Sequence, residues 1–571
     1  MDRPFEGTAS ATSKRIYGSL TQTANRNMSW LARIQANYST VIDLDHRISA
    51  VAGSEIRHNE SKSIYHKFYG YDPVTGQHVS PVYIGTKADG SLTESELLSY
   101  RNTVDALSGQ SRSKTAFASF YGALDYAFRD KYIANMTVRS DGSNNFGSKE
   151  QFNYTWSAGL AWNIDEEEFM KALQPVISRA TVRLSTGLTG GVNKSVYPQI
   201  IMSYQGYRST DLDTYRMGGI SNAPNPNLRW EHTRDYNASL DMGFLNNRIN
   251  MLISAYRRKG YDLVTSVSVV STTGFTTQSY NTSEQINQGI ELTLNAIPLK
   301  LKDFSWSVTG NVAYNQNKLT LYDAPNNYVF SPTRLDYPLS SLFKGKYLGI
   351  DEATGMLNFA LRPGTDIASS ADKRNMYNYV YYIGTENAPW TGGFSTLASF
   401  KNFSLSMSTS FAFGAKKNST VSNDFAYSGR LLGTHVNQYQ TQSADLYTAH
   451  LNKPKEAANR WTPTNHITNG YPRLIDTYGP AISVDLDNVS SSSITDGADY
   501  CNASYWKIGS ISLMYSVPEE IVKKMGLTNL GFSFTANNIA TITNFKGMNP
   551  ESPGAVYPIS RSFSFGLNVG L

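Results

Sequence analysis

The chain closes on Ser560-Arg-Ser-Phe-Ser-Phe-Gly-Leu-Asn-Val-Gly-Leu571. Phe563, Phe565, Leu567, Val569 and Leu571 take the odd positions, while Ser562, Ser564, Gly566, Asn568 and Gly570 take the even ones. Successive side chains of a strand point to opposite faces, so one face is wholly apolar and the other small or polar. The length suits a tilted transmembrane strand, which needs about 9–11 residues. A soluble sandwich also supplies single strands of this kind, so recurrence along the chain decides between them.

The pattern recurs. Tyr154, Trp156, Ala158, Leu160, Trp162 and Ile164 alternate with Thr155, Ser157, Gly159, Ala161 and Asn163. Tyr236, Ala238, Leu240, Met242 and Phe244 share a face, as do Trp306, Val308, Val312 and Tyr314. Phe403, Leu405, Met407, Phe411 and Phe413 stand against Asn402, Ser404, Ser406, Ser408 and Ser410. In order, the chain reads as about sixteen strands, beginning with 14–22, 29–39 and 46–57. Short connections are expected at 40–45, 129–130, 165–178, 245–247, 298–303, 400–401 and 517–528. Long ones are expected at 58–112, 141–152, 190–228, 259–286, 316–387, 415–502 and 539–559. Helical turns are predicted at 169–173 and at 518–525, with Pro518 in the first helical position.

Strict alternation of short and long connections is the asymmetry of outer-membrane barrels, with short periplasmic turns and long extracellular loops. A soluble propeller or sandwich array would not alternate its connections, and its polar face would be rich in Lys and Glu. The expected fold is therefore all-β, a transmembrane antiparallel β-barrel. Composition agrees: only 17% of residues are charged, against 37 Tyr, 25 Phe and 8 Trp. No run of about 18 apolar residues exists, which excludes helical membrane spans. The net charge of +5 is spread thinly and argues against nucleic acid as a partner. A single cysteine, Cys501, excludes an intrachain disulfide and a Cys-based metal site. Met1 to Gly7 offers no apolar core for a signal peptide.

No nucleophile elbow, HExxH, P-loop or EF-hand spacing is present, so neither enzyme activity nor a cofactor is expected. Asp485 with Asp487, or Asp496 with Asp499, are either calcium contacts or solvated loop acids. Tyr377, Tyr379, Tyr381 and Tyr382 are the candidate substrate-binding residues, able to stack on a sugar or pack on a peptide. Their alternative is a rim girdle or loop packing. Trp156, Trp162, Trp306, Trp390 and Trp506 are read as girdle or lipid-facing residues.

Several blocks, in order, resemble the SusC/RagA family of TonB-linked outer-membrane nutrient importers. They begin with Asp130-Lys-Tyr-Ile-Ala-Asn-Met-Thr-Val-Arg-Ser-Asp-Gly-Ser-Asn-Asn-Phe-Gly147, then Asn225-Pro-Asn-Leu-Arg-Trp-Glu231 and Leu245-Asn-Asn-Arg248. Asn387-Ala-Pro-Trp-Thr-Gly-Gly-Phe394, Arg460-Trp-Thr-Pro463, Tyr471-Pro-Arg473, Ser504-Tyr-Trp-Lys-Ile508, Asn537-Asn538 and Gly547-Met-Asn-Pro-Glu551 follow. Asn549 departs from the family's usual Asp, and Leu571 from its usual Phe.

The resemblance implies a multi-pass protein of a Gram-negative outer membrane importing oligosaccharide or peptide. Its partners would be a SusD-like surface lipoprotein, the lipid bilayer, and the TonB complex through a plug domain. It also implies that residues 1–571 are the C-terminal part of a barrel of roughly 22 strands. Plug, first strands and signal peptide would lie outside these residues, and the first strand here would run outward. Such a chain by itself is not expected to be a competent energised importer. Phe563, Phe565, Leu567, Val569 and Leu571 would form the assembly-signal strand. The other class considered is a non-transporting barrel that displays its loops as an adhesin or scaffold.

Overall fold

The computed structural model describes residues 18–71, 73–77, 108–144, 146, 151–191, 201–209, 214–222, 224–323, 333–364, 376–418, 459–469, 500–555 and 557–571. β1 (Gly18–Ile42) and β2 (His46–Tyr71) open it as a long hairpin. β3 (Ser108–Phe128), β4 (Tyr132–Ser143), β5 (Phe152–Asn163) and β6 (Ile177–Gly191) follow. β7 (Ile201–Ser209) and β8 (Thr214–Asn222) pair with each other away from the main sheet. The sheet resumes with β9 (Glu231–Phe244), β10 (Ile249–Ser268), β11 (Thr277–Lys300) and β12 (Phe304–Tyr322).

Four short strands come next: β13 (Ser341–Gly345), β14 (Tyr347–Ile350), β15 (Leu357–Phe359) and β16 (Val380–Thr385). β13 pairs with β16, and β14 with β15. β17 (Trp390–Phe400) and β18 (Phe403–Phe413) rejoin the sheet, and β19 (Lys416–Asn418) pairs with β20 (Tyr500–Asn502). β21 (Tyr505–Ser516), β22 (Asn529–Thr543) and β23 (Ser562–Gly570) complete it. Fifteen of these strands form one antiparallel sheet in chain order, with β1 and β23 as its edges among the described residues.

The expected segments 14–22 and 29–39 are thus one strand as far as they are described. Thr23 to Met28 pair continuously with Glu60 to Tyr65. Asn25, Arg26 and Asn27 break the apolar pattern there, but the ladder joins backbone groups and continues regardless of side-chain polarity. With fifteen strands, β1 and β23 both run toward the short-turn end, which corrects the outward direction expected for the first strand. The long connection expected at 259–286 is mostly strand, since only residues 269–276 separate β10 from β11. Once a hairpin rises into water both its faces turn polar, and the period-2 signal fades while pairing persists.

The short connections fall where expected. Asp43, Leu44, Arg129, Asp130, Leu245, Asn246, Asn247 and Lys401 all have φ between 50° and 62°. Tight hairpins need this left-handed backbone, which Asn and Asp tolerate best among residues with a side chain. The 169–173 turn is 3-10 (Glu168–Leu173), and α1 (Glu519–Lys524) starts one residue after Pro518, which caps it rather than occupying its first position.

Register assembles one apolar face. A single row of partners runs Thr40, Ile48, Tyr126, Ala134, Leu160, Leu184, Ala238, Ala255, Ile290, Tyr314, Trp390, Phe413. It starts beside the short turn at 43–45 and ends beside the long connection after β18. The row therefore climbs from one end of the sheet to the other. Eleven inter-strand steps of about 4.8 Å span about 53 Å, so crossing an apolar band about 25 Å tall needs strands inclined by about 30°. All five tryptophans named above lie on this face. At its lower margin Phe128, Tyr132 and Trp162 stack, with adjacent centroids 6.4 Å apart. Glu167 accepts from Tyr132 Oη, Trp162 Nε1 and Lys131 Nζ, which holds its carboxyl below the ordinary range.

Candidate functional site

The opposite face carries the charge. Glu55 on β2 is 4% exposed. Arg33 Nη2 on β1 lies 2.8 Å from its Oε2, while Arg139 Nη2 on β4 and Arg57 Nη2 lie 3.0 Å and 3.5 Å from its Oε1. Arg139 Nε also donates to Asp141 at 2.7 Å, and Ser119 Oγ donates to the same carboxylate. Three guanidinium groups thus meet two carboxylates. A carboxylate sunk this far needs such company, since an unpaired buried charge costs several kcal/mol. Nearer the short turns, Arg179 and Arg183 both reach Asp241. A polar face studded with ion pairs is unsuited to lipid and suited to a wet or plugged lumen.

Aromatic rings brace this face over glycines. Tyr121 crosses Gly53 to donate to Gln35 Oε1 at 2.8 Å, and Tyr256 crosses Gly289 to donate to Asn315 Oδ1 at 3.0 Å. A Cβ on Gly53 would stand 2.5 Å from Tyr121 Oη.

Above the sheet, the connection between β12 and β17 is a small folded platform. Leu342, Phe343, Ile350, Phe359, Tyr379 and Val380 are buried in it. Trp461, from a distant segment, is buried too and donates Nε1–H to Glu352 O at 2.8 Å. The four candidate tyrosines divide here. Tyr379 is 3% exposed and Tyr381 donates to Leu361 O under Lys346, so both are held by packing. Tyr382 packs with Tyr337 and Phe343 yet stays 43% exposed, and Tyr377 is 56% exposed. Burial pushes the Tyr379 and Tyr382 hydroxyls up, and that of Tyr347 to about 12. Of the four, Tyr377 and Tyr382 are the exposed ones.

The ordered sequence blocks turn out to be joints. Phe146 stacks on Trp230 at 4.5 Å, beside fully buried Leu228. Asn225 Nδ2 donates to Ser279 O, and its Oδ1 accepts from Asn227 N. Ser504 Oγ accepts from Gly414 N, while Ser504 O accepts from Thr543. Asn549 Oδ1 accepts from Glu551 N, a role an aspartate would fill equally. Lys507 pairs with Glu551, and Lys417 donates to Pro550 O.

Phe563, Phe565, Leu567 and Val569 share the apolar face of β23, and Phe565 is 84% exposed with Phe534 beside it. Leu571 lies one residue beyond the strand. Asp485, Asp487, Asp496 and Asp499 fall outside the described residues. Sequence reasoning missed the Arg33–Glu55–Arg57–Arg139–Asp141 lattice. Its trace was charge at alternate positions of strands that are apolar on the other face.

Residues 2–350 match the family described as TonB dependent receptor-like, beta-barrel. The chain is 27% identical to TonB-dependent receptor SusC of Bacteroides thetaiotaomicron, over 80% of this chain and 44% of that protein. It is 24% identical to TonB-dependent receptor P3 of Formosa agariphila, over 80% and 46%. It spans about half the length of these relatives. The RagAB peptide transporter has the same fold, with a TM-score of 0.74 at 23% identity over 97% of this chain and 56% of that one.

Proposed function

The chain belongs to the TonB dependent receptor-like β-barrel family, a family of the outer membrane, and from that premise we propose that it is the barrel portion of a nutrient importer. The observation that carries this reading is the division of one sheet into an apolar face and a charged, ion-paired face, with folded connections gathered at one end. The apolar face meets lipid. The charged face lines a passage for a hydrophilic solute, and the platform of β13 to β16 meets that solute first. Tyr377 and Tyr382 are the residues offered to it. Oligosaccharide and short peptide both fit, because each combines polar groups with surfaces an aromatic ring covers.

The further elements of this reading are a plug domain that couples to TonB, a SusD-like lipoprotein resting on the loop end, and β23 as the strand read during barrel assembly. Two measurements on the full-length protein in its own outer membrane test it. Uptake of labelled maltooligosaccharide and labelled peptide mixtures should require both the protein and an energised inner membrane. Affinity purification should bring down a surface lipoprotein. Uptake that is absent for both classes, with no lipoprotein recovered, would instead favour a barrel that only displays its loops.

A further inference from the structure

The upper margin of the apolar face on β9 to β12 is basic. Arg234 pairs in register with Lys259, Lys259 with Ile286, and Ile286 with Lys318. One row below, Arg257 lies between Tyr236 and Gln288, and Gln288 donates to Gln316 at 3.0 Å. Alternation puts all of these on the same face as Ala238, Ala255 and Ile290. Lys259 is paired with Glu284 and Lys318 with Asp336. Arg234 rests over the rings of Trp156 and Tyr236, at 5.4 Å and 5.7 Å, and is exposed. Arg257 is exposed as well, and neither arginine has a carboxylate partner among the described residues.

Directly below lies a groove of about 730 Å³ to which Arg257 itself contributes. Ala134, Ala158, Ala238 and Ala255 leave it open between the larger Leu160, Leu184 and Tyr236. Small side chains here let an acyl chain lie against the sheet where neighbouring rows carry bulky ones. A second set of cations, Arg26, Lys62 and Arg112, the last paired with Glu60 at 2.6 Å, occupies one row of the same face above the band on β1 to β3.

We propose that this patch binds the phosphorylated headgroup of an outer-leaflet glycolipid, with one of its acyl chains in the alanine groove. Arg234 and Arg257 supply charge-assisted hydrogen bonds to the phosphate, a geometry guanidinium favours. Gln288 and Gln316 serve the sugar hydroxyls. Tyr236 and Trp156 mark the water–lipid boundary where such a headgroup sits. The proposal rests on the membrane position of the barrel and not on transport, so a failed uptake assay leaves it standing.

The test titrates the purified full-length protein in detergent with monophosphoryl lipid A and with the same lipid lacking its phosphate, read by native mass spectrometry. The phosphorylated lipid should bind more tightly. Arg234→Gln with Arg257→Gln should weaken it by about 30-fold, as two cations near an anionic headgroup predict. Arg234→Lys with Arg257→Lys should keep most of the affinity, and Ala238→Leu, which fills the groove, should lower it with both arginines intact. Equal binding of the two lipids by the unaltered protein overturns the proposal without recourse to any variant. So does displacement of the lipid by millimolar inorganic phosphate, which would reveal a free-anion site.

Discussion

The first six strands and the last five share one apolar face but differ on the other. Across β1 to β4 the polar face is built of arginines and carboxylates, centred on Glu55 and reaching from Arg33 to Asp141. Across β17 to β23 it is built of hydroxyls. Ser399 meets Ser404 at 3.1 Å, Ser408 meets Ser510 at 2.7 Å, Ser512 meets Thr535 at 2.9 Å, and Asn537 donates to Ser562. Leu397 and Met514 also stand on that face and are exposed. Ion pairs fix the first region electrostatically, with Arg33 reaching Glu55 from the next strand and Arg139 reaching it from two strands away. Short hydroxyls bond only to the next strand and leave room above them. One half of the sheet is therefore sensitive to single charges, while the other tolerates change on its polar face and is sensitive only where it meets lipid.

The largest effect expected lies at that lipid contact. Phe565→Arg places a cation on the apolar face and should cost about 2–4 kcal/mol, whereas Ser564→Arg enters the polar face and should cost far less. The fraction of full-length protein running as folded barrel on unheated gels measures both. Equal losses would show that β23 has the opposite register.

Removing charge from the lattice comes next. Glu55→Gln strips charge-assisted bonds from Arg33 and Arg139 and should destabilise by about 2 kcal/mol. Ser512→Ala removes one neutral hydroxyl bond and should cost about 1 kcal/mol or less. Urea midpoints of the two variants, measured in the same detergent, compare the regions directly. Indistinguishable shifts would erase the distinction drawn between them.

The smallest pair concerns glycines. Gly53→Ala drives a methyl into the Tyr121 hydroxyl, the far end of a side chain, and should cost about 1 kcal/mol, the low end for overpacking. Gly531→Ala, whose Cβ would stand 3.7 Å from Tyr515 O, should be close to neutral. Thermal unfolding resolves that difference, and a neutral Gly53→Ala would mean that the Tyr121 ring swings away without loss.

How much of this was legible depends on how far apart the cooperating residues lie. The strands of β4, β5, β9, β12, β18 and β23 could be read because each carries its own alternation, and the short turns because Asn246, Asn247 and Asp130 suit left-handed backbone. The start of β1 was misread because Asn25 to Asn27 imitate a turn in composition while their backbones stay paired. The tyrosine quartet was picked out by residue type alone. Tyr379 is buried within the folded connection between β12 and β17, whose packing no local pattern announces.

By itself, then, the sequence determined the fold class, the assignment of faces and the order of connections, since these follow from the two-residue period of a strand and from turn chemistry. The ordered blocks carried the family. Only the tertiary structure decided that fifteen strands join one sheet among the described residues, that hairpins such as β10–β11 rise well past the band, and that Arg33, Glu55 and Arg139 form one lattice. It also decided that Arg234 and Arg257 sit beside a groove of alanines. The reason is register: the lattice joins residues 22 and 84 positions apart across two and three strands, the groove gathers residues from five, and their alignment is set by hydrogen bonding along the whole ladder.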